Sequence, residues 1–161
     1  MLVDLLLIKK YSISGPRYTS YLTGLQFEDG SDVDHRRAAL ARVDEPISLY
    51  THLPFCNTLC YYCACNKIVT KDKTVTDRYL GYLFKEIDAH ARLYRDREVR
   101  QLHCGGVTPT YLTDDQINRL SAELRRQFDF ASDGEYSIEI DPRTVDPARV
   151  ANLRQAGFNR L

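Results

Sequence analysis

Four of the chain's five cysteines fall within the stretch CNTLCYYCAC, spaced Cys56-x3-Cys60-x2-Cys63-x-Cys65. Thiols this dense do one of three things: they pair as disulfides, hold zinc, or hold an iron–sulfur cluster. Disulfides belong to oxidising compartments, and in a reducing one a cysteine cluster reads as metal or redox chemistry. Zinc sites bring two paired knuckles, often with histidine, separated by a longer loop. No second knuckle is present, and the distant His90 and Cys104 offer no matching pair. Three thiolates from one loop suit a [4Fe–4S] cluster with one iron left free of protein, whereas ordinary electron carriers use four. An open iron is a binding position, so it points to chemistry more than to electron storage. A zinc knuckle or idle thiols are the competing readings.

The compartment follows from the N-terminus and the composition. MLVDLLLIKK has the wrong order for a secretory signal: its apolar run is short, Asp4 interrupts it, and its lysines follow that run. It is too short to span a membrane and reads as a short strand or helix docked on the domain. The expected location is therefore cytoplasmic. The 161 residues are enough for one domain with a real core. Hydrophobic residues at 43% and charged residues at 27% lie in the ordinary soluble globular range. A formal net charge of zero lacks the basic excess that nucleic acid or an anionic membrane would call for, so neither is expected as a partner.

The elements that must position these thiols can be read from periodicity. Residues 1–46 form an arm, turn-rich and extended from Ser14 to Ser31, with a short polar helix from Asp32 to Val43. Residues 47–161 form the core. Ile47 to Leu53 alternates as a strand, with Ile47, Leu49, Thr51 and Leu53 on one face and Ser48, Tyr50 and His52 on the other. After the cysteine loop, Asp77 to Tyr94 is an amphipathic helix carried by Leu80, Leu83, Phe84, Ile87, Ala91 and Tyr94. Val99 to Cys104 is a strand leading into GGVTPT. Thr113 with Gln116 makes a capping box, and Ile117, Leu120, Leu124 and Phe128 form the buried stripe of the helix that follows. Glu135 to Asp141 is a third strand. Asp146-Pro147 starts a helix whose buried side is Val150 and Leu153, Gly157 closes it, and FNRL opens a fourth strand.

The order βαβαβαβ predicts an α/β fold with a parallel sheet. Strands with one apolar and one polar face fit a curved, barrel-like sheet, helices outside and polar groups inside. In such folds the chemistry sits at the C-terminal ends of the strands. The cysteine loop and GGVTPT both lie there.

CNTLCYYC matches CxxxCxxC, the signature of the radical S-adenosylmethionine superfamily. Beyond that motif, GPRYTSY (Gly15 to Tyr21), SLYTHLPFC (Ser48 to Cys56), CACNKI (Cys63 to Ile68), GGVTPTYL (Gly105 to Leu112), IEIDPR (Ile138 to Arg143) and GFNRL (Gly157 to Leu161) resemble the oxygen-independent coproporphyrinogen III oxidase family. The resemblance implies a partial (β/α) TIM-like barrel with about three βα units and an extended N-terminal arm. It implies a [4Fe–4S] cluster on Cys56, Cys60 and Cys63, with S-adenosylmethionine on the fourth iron and a second molecule beside it. Tyr50, Tyr62, Gly106 and Glu139 would meet the first cofactor molecule or the space around it, with Val107 and Thr108 at the second. The implied reaction is oxidative decarboxylation of coproporphyrinogen III propionates to protoporphyrinogen IX in haem biosynthesis, with an electron donor whose identity the residues do not give. Cys65 is not an expected ligand; it and GPRYTSY favour the oxidase over haem-chaperone relatives.

Three positions depart from the family pattern. Val107 replaces the third glycine of GGGTP, Cys104 stands where tryptophan is common, and Leu22 where proline is. The β-branched Val107 predicts a shifted loop and weaker cofactor binding there. The chain stops as its fourth strand begins, which predicts a truncated form that is not a competent oxidase alone, and an open barrel edge prone to self-association. The alternative is a non-catalytic iron–sulfur or zinc-binding fragment, or a haem-chaperone-like relative. For the remaining candidates the bland reading leads. His52 and His103 are strand histidines with local hydrogen bonds, His35 and His90 lie on the surface, and Cys104 is a small buried hydrophobe. Tyr18 and Tyr21 pack the arm.

Overall fold

A computed structural model describes residues 5–12, 33, 34, 38, 45–94 and 96–161. The chain divides into two compact units, Met1–Arg36 and Arg37–Leu161. In the first, helix α1 (Leu5–Tyr11) ends on Lys9 and Lys10, where cations suit the negative end of the helix dipole. The expected extended arm, Tyr18, Tyr21, Leu22, His35 and most of the expected polar helix lie outside the described residues.

In the second unit the order is β1 (Ile47–Leu53), β2 (Phe55–Cys56), β3 (Ile68–Val69), α2 (Thr74–Ala91), β4 (Glu98–Gly106), α3 (Asp114–Gln127), β5 (Asp129–Ile138) and α4 (Pro147–Gln155). Strands β1, β4 and β5 form a parallel sheet in that order. A helix separates each strand from the next, as a parallel crossover requires. The expected fourth strand is present as one parallel bridge, Ser137 to Arg160.

The register explains the two faces. Across the sheet, Leu49, Leu102 and Tyr136 fall in one row, and Thr51, Cys104 and Ile138 in the next on the same face. That face meets the helices, and Leu53, Leu80, Val99, Leu102, Ile117, Leu120, Leu124 and Ile138 are buried in one core. On the opposite face Ser48 lies beside Gln101 and Glu135, and Tyr50 beside His103 and Ser137. Period-two alternation therefore builds a dry face and a polar face from the same strands.

Helix α3 carries the expected capping box: Gln116 N–H donates to Thr113 Oγ1 at 3.2 Å, and Thr113 N–H donates to Gln116 Oε1 at 3.1 Å. Its predicted stripe of Ile117, Leu120, Leu124 and Phe128 is buried. Helix α2 begins earlier than its apolar pattern, because the Asp72 carboxylate accepts from Thr74 N–H at 2.9 Å and from Thr74 Oγ1 at 2.7 Å. Strand β5 also begins earlier, at Asp129. Asp129 and Phe130 pair with Glu98 and Val99, the chain then detours through residues 131–134, and pairing resumes at Glu135 beside Gln101. Tyr136 Oη fills the detour, its one O–H shared between the carbonyls of Ala131 and Val99.

Helix α4 is capped by Asp146, whose side chain accepts from Arg149 N–H at 2.7 Å. Leu153 is buried as expected, but Val150 is 39% exposed. The inner face belongs instead to Arg149, one helical turn from Leu153. Its guanidinium donates to the carbonyls of Leu112 and Thr110 and pairs with Asp114.

Candidate metal and cofactor site

The C-terminal ends of β1, β4 and β5 lie side by side, and the chain leaves each through residues able to do chemistry. After β1 comes the thiol loop. Two backbone bonds close it, Ile68 N–H to Pro54 O at 2.7 Å and Thr70 N–H to Cys56 O at 3.0 Å, where β2 and β3 pair. Phe55, fully buried at the root, lies between Tyr79 (edge-on, 5.2 Å) and Tyr111 (stacked, 5.7 Å). Within the loop, Cys63 N–H turns back to Cys60 O at 3.2 Å. Lys67 Nζ donates to the carbonyls of Cys63 and Cys65 at 3.1 and 3.4 Å.

All five thiols are free. Cys56 is buried, Cys63 half-buried, and Cys60 and Cys65 exposed. Cys56 Sγ donates to Thr58 O at 2.8 Å and lies 3.5 Å from Thr108 Oγ1. Among the described residues no three metal-ligating side chains are gathered into a cage. The fit of a cluster therefore rests on the donor set. It is all sulfur, on one short loop fixed at both ends, and it suits an iron–sulfur cluster or zinc but no hard cation.

After β4 comes the glycine turn. Gly106 has φ of 125°, a backbone that side chains rarely adopt, and a Cβ there would stand 2.8 Å from Leu53 O. Gly106 is held to glycine by its backbone, whereas Gly105 is held by space, an added Cβ there standing 2.6 Å from His103 Nε2. Val107 is half-buried and joins the sheet end, its N–H donating to Leu53 O at 3.2 Å.

After β5 comes Glu139, held from two sides. Gly106 N–H donates to its Oε2 at 3.1 Å, and His103 Nε2 lies 3.4 Å from its Oε1. His103 Nδ1 is 2.7 Å from Ser137 Oγ, and its ring stacks on Tyr50 at 5.8 Å. Tyr50 Oη is 2.9 Å from His52 Nδ1, whose Nε2 is 3.0 Å from Asn66 O. Both histidines thus make the local hydrogen bonds expected of them, and His103 also links Tyr50 to Glu139. Desolvation, then the charges of Glu139 and Cys65, push the Tyr50 phenol above its ordinary range. Desolvation and the adjacent Cys63, with Glu139 a smaller contributor, push the Cys65 thiol up against the pull of Lys67. The thiol loop meets this row through Asn66, whose carbonyl lies 3.0 Å from His52 Nε2.

Of the sequence-predicted residues, Tyr50, Gly106 and Glu139 join one bonded group. Cys56 and Thr108 touch across from it. Cys60 and Tyr62 stand at the loop surface, Tyr62 being 90% exposed. Cys104 is buried, and its thiol is pushed up to about 12 by desolvation. The reading of residue types overlooked Arg143, which shares a cavity of 470 Å³ with Cys56, Thr58, Lys73, Thr108 and Asp141. Its position two residues past Asp141, in the IEIDPR motif, is the signal that marks it. A cavity of 500 Å³ runs between β1 and α2, lined by Leu49, Leu83 and Ile87, but no thiol reaches it.

Comparison with known proteins bears on this arrangement. The model of the radical SAM superfamily matches residues 50–161. The oxygen-independent coproporphyrinogen III oxidase of Salmonella typhimurium is 52% identical over 159 residues, covering 98% of this chain and 35% of that protein. The protein of the same name from Mannheimia haemolytica is 51% identical over 140 residues, covering 86% of this chain and 96% of that one. The solved structure of coproporphyrinogen III oxidase from Escherichia coli, described as a radical SAM enzyme, superposes with a TM-score of 0.85 at 48% identity, over 98% of this chain and 35% of that one. The chain thus spans about a third of the length of most of the curated relatives it matches. No described helix is long and apolar enough to cross a membrane. A parallel sheet with its thiol loop at the strand ends, matched at this identity, makes the chain a member of the radical SAM superfamily and of its oxygen-independent coproporphyrinogen III oxidase family, whose cofactors are a [4Fe–4S] cluster and S-adenosylmethionine.

Proposed function

We propose that Cys56, Cys60 and Cys63 hold the [4Fe–4S] cluster and that Tyr50, Tyr62, Gly106, Val107, Thr108 and Glu139 receive S-adenosylmethionine. The activity proposed is oxidative decarboxylation of the propionates of coproporphyrinogen III, fed by an external one-electron donor. The observation that carries this reading is the row in which Tyr50 stacks on His103 and His103 and Gly106 hold Glu139, with the thiol loop tied to it through Asn66 and His52. When bound, the cluster and cofactor supply one-electron chemistry that no protein side chain here possesses, and the protein supplies binding, orientation and electrostatics.

The residues have distinct parts in this. Glu139 is held ready to accept hydrogen bonds from a bound hydroxyl or ammonium group, because Gly106 N–H and His103 already fix its direction. Tyr50 keeps its proton, given its raised phenol, and offers a rigid aromatic edge steadied by the His103 stack. Thr108 Oγ1 is placed to donate to Cys56 once that sulfur is a thiolate, a charge-assisted bond that favours the ligating form. Gly106 lets the β4 turn approach without a Cβ.

The test is anaerobic reconstitution of the chain with iron and sulfide. Metal and sulfide are counted, and the reduced sample's electron paramagnetic resonance spectrum is recorded before and after adding S-adenosylmethionine. About four irons and four sulfides per chain, with a spectrum that changes on addition, is the expected result. Zinc, or a spectrum indifferent to the cofactor, overturns the reading.

A further inference from the structure

Arg143 leaves the end of β5 through a turn that fixes its direction. Its backbone N–H donates to Asp141 Oδ1 at 3.1 Å, its Nε to the same oxygen at 2.9 Å, and its Nη2 to Oδ2 at 2.8 Å. Thr144 closes the turn, its N–H and Oγ1 both donating to Asp141 O at 3.0 Å. The Asp141 side chain is only 20% exposed and that of Arg143 76%. A clamped carboxylate thus grips the guanidinium by two parallel bonds, the fork geometry that lysine cannot reproduce.

Such an exposed pair adds little to stability. Its placement is more informative. Arg143 lines the same 470 Å³ cavity as Cys56 and Thr108. Asp141 chiefly, and Cys60 and Cys56 as smaller causes, favour its charged form. Lys73, the cavity's other cation, is engaged elsewhere: its Nζ donates to Tyr111 O at 2.7 Å and lies 3.1 Å from the centre of the Tyr111 ring. Lys73 is thus held against Tyr111, and Arg143 is held by Asp141 on the same cavity wall as Cys56.

We propose that Arg143 is a positioning residue for the electron: a fixed cation, held by Asp141 at the rim of the thiol cavity, that raises the reduction potential of a cluster bound by Cys56, Cys60 and Cys63. The inference rests on the metal reading above. A cluster on three thiolates gains one further negative charge when it takes one electron from a reductant. A nearby cation favours that more negative state, as it would favour any ionised acid. The guanidinium is always charged, so the effect does not titrate away. Asp141 offsets part of the field and solvent screens more, which limits the effect to about tenfold in the reduction equilibrium, or about 59 mV for a one-electron couple.

The test is a redox titration of reconstituted full chains with dithionite, read by electron paramagnetic resonance, for the parent, Arg143→Gln, Arg143→Met and Arg143→Lys. The neutral variants are expected to shift about tenfold toward the oxidised cluster, with Arg143→Lys staying within about threefold of the parent. Raising salt from about 0.01 to 1 M, where the screening length falls from about 30 to 3 Å, should narrow the gap. Equal potentials for the parent and a neutral variant, both loaded, overturn the inference and leave the metal reading standing. A parent that takes up no cluster overturns both. If neither neutral variant loads, Arg143 acts in assembly of the cluster and not on its potential, and the proposal is refuted.

Discussion

Replacing Gly106 by alanine tests whether the β4 turn is built as described. The residue sits at φ of 125°, and an added Cβ would stand 2.8 Å from Leu53 O and 3.0 Å from the His52 ring. Backbone in a sparsely populated region costs about 1–3 kcal/mol for a residue with a side chain. The carbonyl cannot retreat, because Leu53 is fully buried, and the same oxygen accepts from Val107 N–H. Losing that bond adds about 1 kcal/mol. The expected loss is about 2–4 kcal/mol, which lowers the urea midpoint by about 1–2 M at a slope of about 2 kcal/mol/M. Gly81 is the internal control: it lies in α2 with nothing within 4 Å of its added Cβ. Gly81→Ala should raise stability by about 0.5–1 kcal/mol, through helix propensity alone. A Gly106→Ala midpoint within about 0.3 M of the parent, with Gly81→Ala behaving as stated, would refute the argument that this turn depends on glycine.

Two further outcomes follow from the packing. Thr113→Ala removes the Oγ1 that accepts from Gln116 N–H but keeps the backbone N–H that donates to Gln116 Oε1; it should cost about 1 kcal/mol in the same urea assay, with Asp115→Ala on the exposed first turn changing little. Burial holds the Cys104 thiol near 12 against an ordinary 9.0 in the folded chain. A raised thiol keeps its full contribution below the unfolded value and loses it as pH climbs through the folded one. Stability should therefore fall from about pH 9 toward 12, Cys104→Ala should flatten that slope, and Cys104 should resist alkylation at pH 8 until the chain unfolds.

How much of this was legible in the sequence depends on how local the determinant is. The Thr113–Gln116 box and the alternation through β1 are written into near neighbours and appear as read. The detour in β5 is not: FDFASDGEY looks like a turn, and only the pairing of Asp129 and Phe130 with Glu98 and Val99 makes its first half strand. Val150 is apolar and at helical spacing from Leu153, which predicts an inward side chain. The inner face is taken by Arg149, since the carbonyls of Leu112 and Thr110 need a donor there. At the site, cysteine spacing and family motifs singled out the thiols, Tyr50, Gly106 and Glu139. Periodicity could put Tyr50 on the polar face, but only register sets His103 beside it and beneath Glu139. Arg143 has no such local determinant: its meaning lies in a cavity shared with residues far away in sequence.

The smallest pairing in the fold, β2 with β3, has a consequence out of proportion to its length. It brings the two ends of residues 57–67 together before any metal arrives. The cost of closing a loop grows only with the logarithm of its length and is met here by folding. Cys60 and Cys63 are thereby confined near Cys56 at a high effective concentration. Under the proposed ligation, Cys56, buried at the staple, would be the fixed donor, with Cys60 and Cys63 on short tethers from it. Once one thiolate held the metal group, the other two would meet it nearly intramolecularly.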